Sequence, residues 1–545
     1  MGNGSMKIWT EGPLKAVPPD WFDRDEERPG RTLHMARNSC ESFQILLKGE
    51  TDFFIEGVRF TPAEDGLSFD YRFQETVAFA KEEFVDPLSN DSCAEGKAGA
   101  IKSIWVTVRA GKGLLPGVYR HRAAVTVSGQ PYPVEMEIRV YPAALPSGRD
   151  AAFSAEYWIN TVNFWFRYPD PGQRDFIRHF YGHEKYSPSW WELNEKIARH
   201  MKESRINVLF VRTHDLLLDG GTSLDGEGTY RFRWELFDRF LDLFDARAEI
   251  RYFAGYHLVL QTEGKRVYLI RNEGGKPCLD TAPVESPEAE NWLRQFLPAL
   301  YAHLQKRGDA GRWLQHIQDE PGDAESWKEV RERVKTCMPG IPCLDAIDRQ
   351  EPAGELQGGM DLWIPRVDVY ENNREFYDFR LARGDRRWTY TCCEPNCQKY
   401  ANRFLGWPLL HSRVLPWCCF VNHFDGFLHW GYNFWDPQDP WFGLNPDAFF
   451  KGDGYIVYPD REHNDIKNSI RMIAARDGVQ DYELLVQLAV RDSKKAFDCA
   501  KKVAKRFDDF NWSTENLERV RVEVLEALSG CGKEELEHGA LPGRN

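Results

Sequence analysis

The sequence has no long apolar run and no excess of positive charge. No stretch reaches the roughly 18 consecutive apolar residues that a membrane-spanning helix needs. The 70 Lys and Arg residues are outnumbered by 84 Asp and Glu residues, which gives a net charge of −14 at pH 7. Nucleic acids and anionic membrane surfaces are bound by basic faces. We therefore expect no nucleic-acid partner and no membrane insertion.

The sequence also lacks the signals of several other protein classes. The segment from Met1 to Lys7 has neither the charged region nor the apolar run of a secretory signal. We therefore expect a cytoplasmic protein, although a removed signal would leave the same trace. The 12 cysteines show no zinc-binding spacing, and no G-x-G-x-x-G motif follows a strand. We expect reduced thiols, no metal and no organic cofactor, and the sequence does not indicate an oligomeric state.

Aromatic residues, in contrast, are abundant: the chain has 19 Trp, 21 Tyr and 34 Phe. Several lie in polar stretches that are rich in Gly and Asn, such as WGYNFW at 430–435. A sugar presents a C–H face that stacks on aromatic rings, and it presents hydroxyl groups that need hydrogen-bond partners. These stretches favour a small-molecule or glycan ligand.

Three patterns divide the chain. Residues 1–148 contain many short strands with alternating polarity, for example at 134–140, which predicts a β-sandwich domain. Residues 149–462 repeat strand, loop and amphipathic helix, which predicts a (β/α)8 barrel rather than an open doubly wound sheet. Residues 463–545 indicate a C-terminal helical region, with a turn predicted at Asp477-Gly478. The predicted fold class is thus α/β, a TIM barrel flanked by a β-sandwich and helices. The barrel strands are predicted at 153–160, 207–214, 251–258, 314–319, 343–347, 362–367, 388–392 and 426–430.

Two adjacent carboxylates, Asp319 and Glu320, close the predicted fourth strand, and Pro321 ends it. Active sites of such barrels lie at the carboxyl ends of the strands. Repulsion between the two charges raises the pKa of one carboxyl group, which keeps an acid protonated near neutral pH. The same residues could instead begin the next helix, because a helix dipole favours acidic side chains there.

The spacing of this pair limits the chemistry that it can perform. Neighbours on a regular strand point to opposite faces, so Asp319 and Glu320 share a pocket only if the strand twists or breaks between them. They are poorly placed to flank one glycosidic bond at the separation of about 5 to 9 Å that two-carboxylate glycosidases use. An adjacent pair fits better with substrate-assisted hydrolysis, in which the 2-acetamido oxygen of the sugar is the nucleophile.

Short motifs occur in a characteristic order over nearly the whole chain. They lie at 39–44 (SCESFQ), 116–119 (PGVY), 316–321 (HIQDEP), 361–365 (DLWIP), 388–393 (WTYTCC), 430–435 (WGYNFW), 452–459 (GDGYIVYP) and 476–483 (RDGVQDYE). Together they resemble glycoside hydrolase family 123 and the wider group of proteins that share its catalytic domain. The resemblance implies an enzyme that releases terminal N-acetyl-β-D-galactosamine with retention, through an oxazolinium intermediate. It also implies that Glu320 is the general acid/base and that Asp319 stabilises the 2-acetamido group.

Other polar and aromatic residues at or after the predicted strand ends are candidates for binding the sugar. Tryptophans would wall the pocket, tyrosines would hydrogen-bond the acetamido oxygen or a ring hydroxyl, and the remaining residues would contact sugar hydroxyls. Large rings at strand ends also serve as core residues. The candidates are Arg212, His257, Trp363, Tyr390, Trp430, Tyr432, Asn433 and Trp435.

Two other functions stay open on the sequence alone. Glu320 could work with a carboxylate from another strand, such as Asp345, in a glycosidase whose sugar lacks the acetamido group. A barrel that binds carbohydrate without turnover is the non-enzymatic alternative, and the intact Asp-Glu pair speaks against it. The long segments at 215–233 and 259–288 are expected to shape the mouth of the barrel and to set the preference for the sugar and the aglycone.

Overall fold

The structure is a computed structural model that describes residues 5–21, 30–79, 82–163, 175–260, 265–322, 324–435 and 451–530. It divides into two compact units. The sandwich unit comprises Met1–Phe153, Asn396–Asn422 and Asn433–Asn545, and the barrel unit comprises Ser154–Pro395 and His423–Tyr432. The predicted boundaries at 148/149 and 462/463 follow changes in sequence pattern, not compactness, and they stay predictions.

Two sheets share one apolar core in the described part of the sandwich unit. Val134, Met136 and Ile138 are buried while Glu135 and Arg139 are exposed, so the predicted alternation along this strand is confirmed. The larger sheet has the strand order Met6–Glu11, Ser39–Gly49, Ile101–Ala110, Leu67–Phe79, Glu82–Ser89, Asp465–Ser469 and Tyr458–Asp460. The smaller sheet has the order Gly30–Arg37, Gln130–Ala144, Gly117–Val127, Phe53–Phe60 and Ala94–Gly96.

Helices complete the sandwich unit, and one of them corrects a prediction. The helix Ile470–Arg491 runs without interruption through Asp477 and Gly478, where the sequence pattern predicts a turn. A Cβ atom at position 478 would lie 2.4 Å from the carbonyl oxygen of Arg413, so the glycine allows close packing of two helices. The described helices of this unit are Leu410–Val421, Ile470–Arg491, Ser493–Ala500 and Thr514–Ser529, and a hairpin pairs Ala504–Arg506 with Asp509–Phe510.

Eight parallel strand positions form the sheet of the barrel unit, as predicted. The two edges of the sheet are Arg386–Arg387 and Thr389–Tyr390, which are consecutive pieces of the seventh strand. A further β-bridge joins Arg366 of the neighbouring chain segment to Tyr390. The sheet therefore closes on itself, and the predicted (β/α)8 barrel is confirmed. In chain order its strands are Ser154–Tyr157, Val208–Val211, Tyr252–Gly255, Trp313–His316, Cys343–Ile347, Leu362–Pro365, Arg386–Arg387 with Thr389–Tyr390, and Gly426–His429.

Alternate strand residues fill the barrel interior with apolar side chains, including Phe210, Leu344, Leu362 and Leu428.

None of the helices in the described ranges combines the length and the apolar character required to cross a membrane. The helices of the barrel unit are Phe176–Tyr181, Pro188–Glu203, Thr213–Asp219, Glu235–Ala248, Pro287–Arg307, Ala310–Arg312, Ala324–Cys337, Gln350–Glu355, Val367–Asn372 and Arg374–Ala382. Two hairpins lie in the loops after the second and third strands, Ser223–Leu224 with Tyr230–Arg231 and Arg266–Glu273 with Lys276–Pro283.

Candidate active site

The chain leaves regular strand geometry immediately before the Asp-Glu pair. The fourth barrel strand ends at His316, and Glu320 has a φ of 45°, in the left-handed region that residues with a Cβ atom seldom adopt. Alternation of side chains along a strand therefore does not apply to Asp319 and Glu320. The break that a shared pocket requires is present, and both side chains are half-buried.

The electrostatic environment favours retention of a proton by this pair. Burial and the neighbouring charge of Glu320 raise the pKa of Asp319 well above its usual value, and the charge of Asp345 adds to this effect. Burial also raises the pKa of Glu320, although the hydrogen bond from Tyr390 opposes the shift, and the charge of Asp348 raises it further. A buried pair of this kind titrates as one system and holds one proton to higher pH than a single carboxylic acid does.

Tyr390 connects the seventh strand to the pair. Its hydroxyl donates a hydrogen bond of 2.7 Å to Oε1 of Glu320, and the side chain is 3% exposed. The backbone of Tyr390 bridges to Arg366, whose guanidinium donates to Asp368 at 2.6 Å and 3.0 Å. The structure thus brings the predicted Tyr390 to Glu320, in a position to orient its carboxylate.

Asp345 anchors the turn that leads to the pair. One of its oxygens accepts hydrogen bonds from the backbone N–H groups of Ile317 and Gln318, both at 3.0 Å, and from the indole of Trp327 at 2.7 Å. The Asp345 side chain is fully buried. A carboxylate held by these donors is not available as a nucleophile or base at the sugar, so Asp345 does not fit the second catalytic role that the sequence left open.

His316 lies between two buried carboxylates. Its Nδ1 is 3.0 Å from Oδ1 of Asp345, and its Nε2 is 3.1 Å from Oε1 of Glu156. Burial opposes the charged form, yet the two carboxylates raise the pKa of His316 to about 10. The spacing of residues in the sequence does not predict this ion-paired histidine. The only sequence signal is that His316 and the interior-facing Glu156 are ionisable residues within otherwise apolar strands.

Three buried side chains at this position are of the residue types that bind metal ions. His257, His316 and Asp345 offer ligand atoms that lie within 4.8 Å of one another. Both ring nitrogens of His316 are already engaged by carboxylates, and an imidazolium cannot coordinate a metal. The hydrogen bonds therefore favour an ion-paired histidine over a coordinated one.

Arg212 and His257, both predicted to bind sugar, lie in the same part of the barrel. The Nε of Arg212 donates to Asp215 at 2.9 Å, and its guanidinium stacks 4.6 Å from the ring of Tyr256. Among the described residues, neither Nη1 of Arg212 nor Nε2 of His257 has a hydrogen-bond partner. Burial lowers the pKa of His257 well below its usual value, so this ring is neutral. Both residues retain polar atoms that a sugar hydroxyl could satisfy.

The predicted tryptophans of the barrel unit separate into two positions. Trp430 is half-buried and packs against the apolar interior of the barrel. Trp363 points instead toward the helix Arg374–Ala382, where its ring contacts Phe376 and its indole donates to Asp385 at 2.8 Å. Leu362 and Ile364 occupy the interior, and the alternation of the strand therefore turns Trp363 outward. Trp363 thus lies in the helix layer, on the face of its strand that points away from the barrel interior.

Tyr432 also has a partner away from the pair. The residue is fully buried, and its hydroxyl is hydrogen-bonded to Nδ1 of His200 at 2.8 Å. His200 belongs to the helix Pro188–Glu203. A tyrosine bonded in this way holds a helix against the chain that follows the eighth strand, and its role at the sugar stays a prediction.

Asn433 and Trp435 belong to the sandwich unit. Asn433 bridges to Tyr455, and the indole of Trp435 donates to the carbonyl of Val457 at 2.8 Å. Both side chains are fully buried. The WGYNFW motif is therefore divided between the two units, and the sugar-binding role of these two residues stays a prediction.

Asp348 is a site residue that the sequence pattern did not single out. It directly follows the fifth strand, Cys343–Ile347, and its side chain is 24% exposed. Its charge raises the pKa of both Asp319 and Glu320. The rule that site residues follow barrel strands could have identified it.

Comparisons with known proteins give a matching family and a similar fold. The family described as "Glycoside hydrolase 123, catalytic domain" matches residues 172–488, more than half of the chain. A family 123 glycoside hydrolase from Clostridium perfringens, solved to describe glycolipid glycan hydrolysis, has a TM-score of 0.73 at 12% identity. That alignment covers 96% of this chain and 98% of the other, and at this identity it shows a common fold.

Other solved structures are much less similar. A β-D-glucuronidase from Dictyoglomus thermophilum has a TM-score of 0.33 at 10% identity, with 80% of this chain and 66% of that chain covered. A β-glucuronidase from Parabacteroides merdae has a TM-score of 0.30 at 9% identity, with 82% and 50% covered. No curated protein matches this chain.

Proposed function

The chain belongs to glycoside hydrolase family 123, and on that premise we propose that it releases terminal N-acetyl-β-D-galactosamine with retention of configuration. The observation that carries the proposal is the adjacent pair Asp319 and Glu320 after the fourth barrel strand, where the backbone breaks at Glu320 and Tyr390 donates a hydrogen bond to its carboxylate. Two adjacent carboxylates are suited to acting on one sugar from the same side. They are not suited to opposite faces of the ring, as ordinary two-carboxylate catalysis requires.

The proposed reaction begins with intramolecular attack. Glu320 donates its proton to the glycosidic oxygen while the 2-acetamido oxygen attacks C1, so the C1–O bond to the aglycone breaks and a C1–O bond to the amide forms. Asp319 accepts the amide N–H hydrogen bond and stabilises the positive charge of the oxazolinium. Glu320 then removes a proton from a water molecule that attacks C1, which reopens the ring with overall retention.

The protonation of the pair supports a role for the substrate in setting up the acid. Without substrate, the hydrogen bond from Tyr390 favours the ionised form of Glu320, and burial and surrounding charges favour the neutral form of Asp319. A bound acetamide N–H stabilises ionised Asp319. Substrate binding would therefore shift the shared proton toward Glu320, where the leaving oxygen needs it.

The first test is hydrolysis of nitrophenyl N-acetyl-β-galactosaminide, with the glucosamine and plain galactose analogues alongside. We expect turnover of the galactosaminide, no turnover of the galactoside, and a loss in kcat of about 10² to 10⁴-fold for Glu320→Gln. The loss should be larger for a disaccharide than for the nitrophenyl glycoside, because nitrophenolate leaves without protonation. Glu371→Gln is the matched control, since Glu371 is a buried carboxylate of the barrel unit that pairs with Arg374.

A second measurement tests the nucleophile. Replacement of the acetyl group by trifluoroacetyl withdraws electrons from the amide oxygen and should slow a reaction in which that oxygen attacks C1. Asp319→Asn should lower kcat for the acetamido substrate, because a neutral amide does not stabilise the oxazolinium. If both changes leave the rate unaltered, the acetamido group is not the nucleophile.

One observation favours a specific alternative. Asp348 lies close enough to Glu320 for its charge to raise the pKa of that residue. A glycosidase acting on a sugar without an acetamido group could use Glu320 as acid and Asp348 as the second carboxylate. In that case the plain galactoside or another simple glycoside would be hydrolysed, and Asp348→Asn would abolish its turnover.

A further inference from the structure

Three buried ionisable side chains, each from a different barrel strand, are joined in a row by hydrogen bonds. Glu156 comes from the first strand, His316 from the fourth and Asp345 from the fifth. All three side chains are fully buried, and the two hydrogen bonds that join them measure 3.1 Å and 3.0 Å. We call this group the histidine clamp.

The hydrogen-bond geometry and the burial of the clamp together favour a charged histidine. A neutral imidazole has one N–H donor, whereas here a carboxylate oxygen lies at hydrogen-bond distance from each ring nitrogen. Two ionised carboxylates buried without a counter-charge would also be very costly. The arrangement is therefore satisfied by an imidazolium that donates to Asp345 from Nδ1 and to Glu156 from Nε2.

The clamp is connected to the catalytic pair through the backbone. Oδ2 of Asp345 accepts from the N–H groups of Ile317 and Gln318, the two residues that lie between His316 and Asp319. His316 is thus hydrogen-bonded to Asp345, and Asp345 accepts hydrogen bonds from the backbone that directly follows His316. The clamp therefore fixes the beginning of the turn that carries Asp319 and Glu320.

We infer that His316 is a positioning residue for the proposed reaction: its imidazolium anchors the turn that carries Asp319 and Glu320 and places a positive charge near Asp319. The kinetic part of this inference rests on the proposed function. The charge of His316 opposes the upward shift in the pKa of Asp319 that burial and the other carboxylates produce. His316 therefore helps Asp319 to ionise when the substrate is bound.

Several other groups lie next to the clamp or the pair, and the charged ones among them influence the pKa values of the pair. The ring of His257 lies 4.8 Å from that of His316, and Trp158 and Phe210 wall the group with aromatic rings. The charged or titratable groups near the clamp and the pair are Glu156, Arg212, His257, Asp345, Asp348, Arg349, Arg366 and Tyr390.

The charge of the clamp can be measured without any substrate. Nuclear magnetic resonance of the full chain with ¹⁵N-labelled histidine should show one imidazolium whose two ring N–H signals persist above pH 8. Both signals should be missing in His316→Gln. A His316 signal of neutral imidazole at pH 7 would overturn the inference, whatever the activity of the protein.

The role of the clamp in catalysis is measured by kinetics. With the galactosaminide, His316→Gln should lower kcat by about 10 to 100-fold, because small displacements of catalytic groups have effects of that size. The pH optimum of kcat/KM should move up by about one unit, since loss of a nearby positive charge raises the pKa of the pair. KM should change less than kcat.

His411→Gln is the control for the loss of a buried histidine. His411 lies in the sandwich unit, is fully buried, and has a pKa lowered to about 4 by burial. Its replacement should lower the melting temperature and leave the pH optimum unchanged. If His316→Gln behaves in the same way, His316 has only a structural role.

A failure of this inference can be distinguished from a failure of the proposed function. If the wild type leaves the galactosaminide intact, the proposed function fails, and the resonance experiment still decides the charge of the clamp. If His316→Gln does not fold, Asp345→Asn supplies the second variant. It should lose kcat and loosen the turn, detected as faster amide hydrogen exchange at Ile317 and Gln318, and unchanged exchange there would refute the anchoring role.

Discussion

Removal of the Tyr390 hydroxyl should raise the pKa of Glu320 and move the pH dependence of the enzyme. Tyr390 donates a 2.7 Å hydrogen bond to Glu320, and a hydrogen bond to a charged group contributes about 1.5 to 3 kcal/mol. Because the bond favours the ionised carboxylate, Tyr390→Phe should raise the upper apparent pKa of the pair by about one to two units. The basic limb of kcat/KM, which reports loss of the protonated acid, should move up by the same amount.

The sign of the effect on stability follows from the same pKa shift. The pKa of Glu320 is already higher in the folded chain than in the unfolded one, so folding favours proton uptake. The contribution of Glu320 to stability is therefore favourable below its unfolded pKa of about 4.3 and is lost as the pH rises through the folded pKa. Tyr390→Phe should extend this loss to higher pH, with clear destabilisation at pH 8 and little at pH 4.

The assay combines a pH–rate profile on the galactosaminide with denaturant unfolding at pH 4 and pH 8. Tyr432→Phe is the matched control, because it removes a buried hydroxyl that is bonded to His200 at 2.8 Å. The control should lose stability without any shift of the profile. A basic limb that stays in place or moves down in Tyr390→Phe would refute the reasoning.

Two further substitutions test where side chains point and where the backbone is strained. Trp363→Phe should cost about 1 kcal/mol of unfolding free energy through the lost bond to Asp385, with KM changed less than twofold, because the indole lies in the helix layer. A several-fold rise in KM would place Trp363 at the sugar instead. Glu320→Gly and Glu320→Ala should both abolish turnover, and the glycine variant should be more stable by about 1 kcal/mol in denaturant titrations, since glycine adopts a φ of 45° without strain and both variants lose the bond from Tyr390. A glycine variant no more stable than the alanine variant would contradict that account.

The barrel could be predicted because its strands have a simple physical signature. Parallel strands are buried on both faces, so they appear as short apolar runs such as 208–211 and 343–347, separated by amphipathic helices. The position of Asp319 and Glu320 just after the fourth strand follows from the same pattern. The sequence shows that a shared pocket requires a break in the strand, but it does not predict the break itself. A residue other than glycine in the left-handed conformation cannot be recognised from the sequence.

The direction of individual side chains was harder to predict. Trp363 and Tyr390 both lie within barrel strands, yet Trp363 faces the helices and Tyr390 faces the pair. Successive residues of a strand point to opposite faces of the sheet, so a shift of one residue turns a side chain from the interior to the helix layer. The sequence does not show which of the two alternating sets of residues points inward. Gly478 shows a related limit, because a glycine that permits helix packing cannot be distinguished by sequence from one that ends a helix.

The distinction between structural and catalytic carboxylates depends on what the surrounding fold does with each. Asp345 lies within the fifth barrel strand and Glu320 follows the fourth, and burial raises the pKa of each. Asp345 accepts hydrogen bonds from the backbone N–H groups of Ile317 and Gln318. Protonation of Asp345 during catalysis would weaken these bonds and loosen the turn. Glu320 instead sits on a left-handed backbone that costs about 1 to 3 kcal/mol, and the fold retains that strain. Backbone strain is expected where a side chain must be presented to a ligand, and we therefore propose that the proton transfer takes place at Glu320.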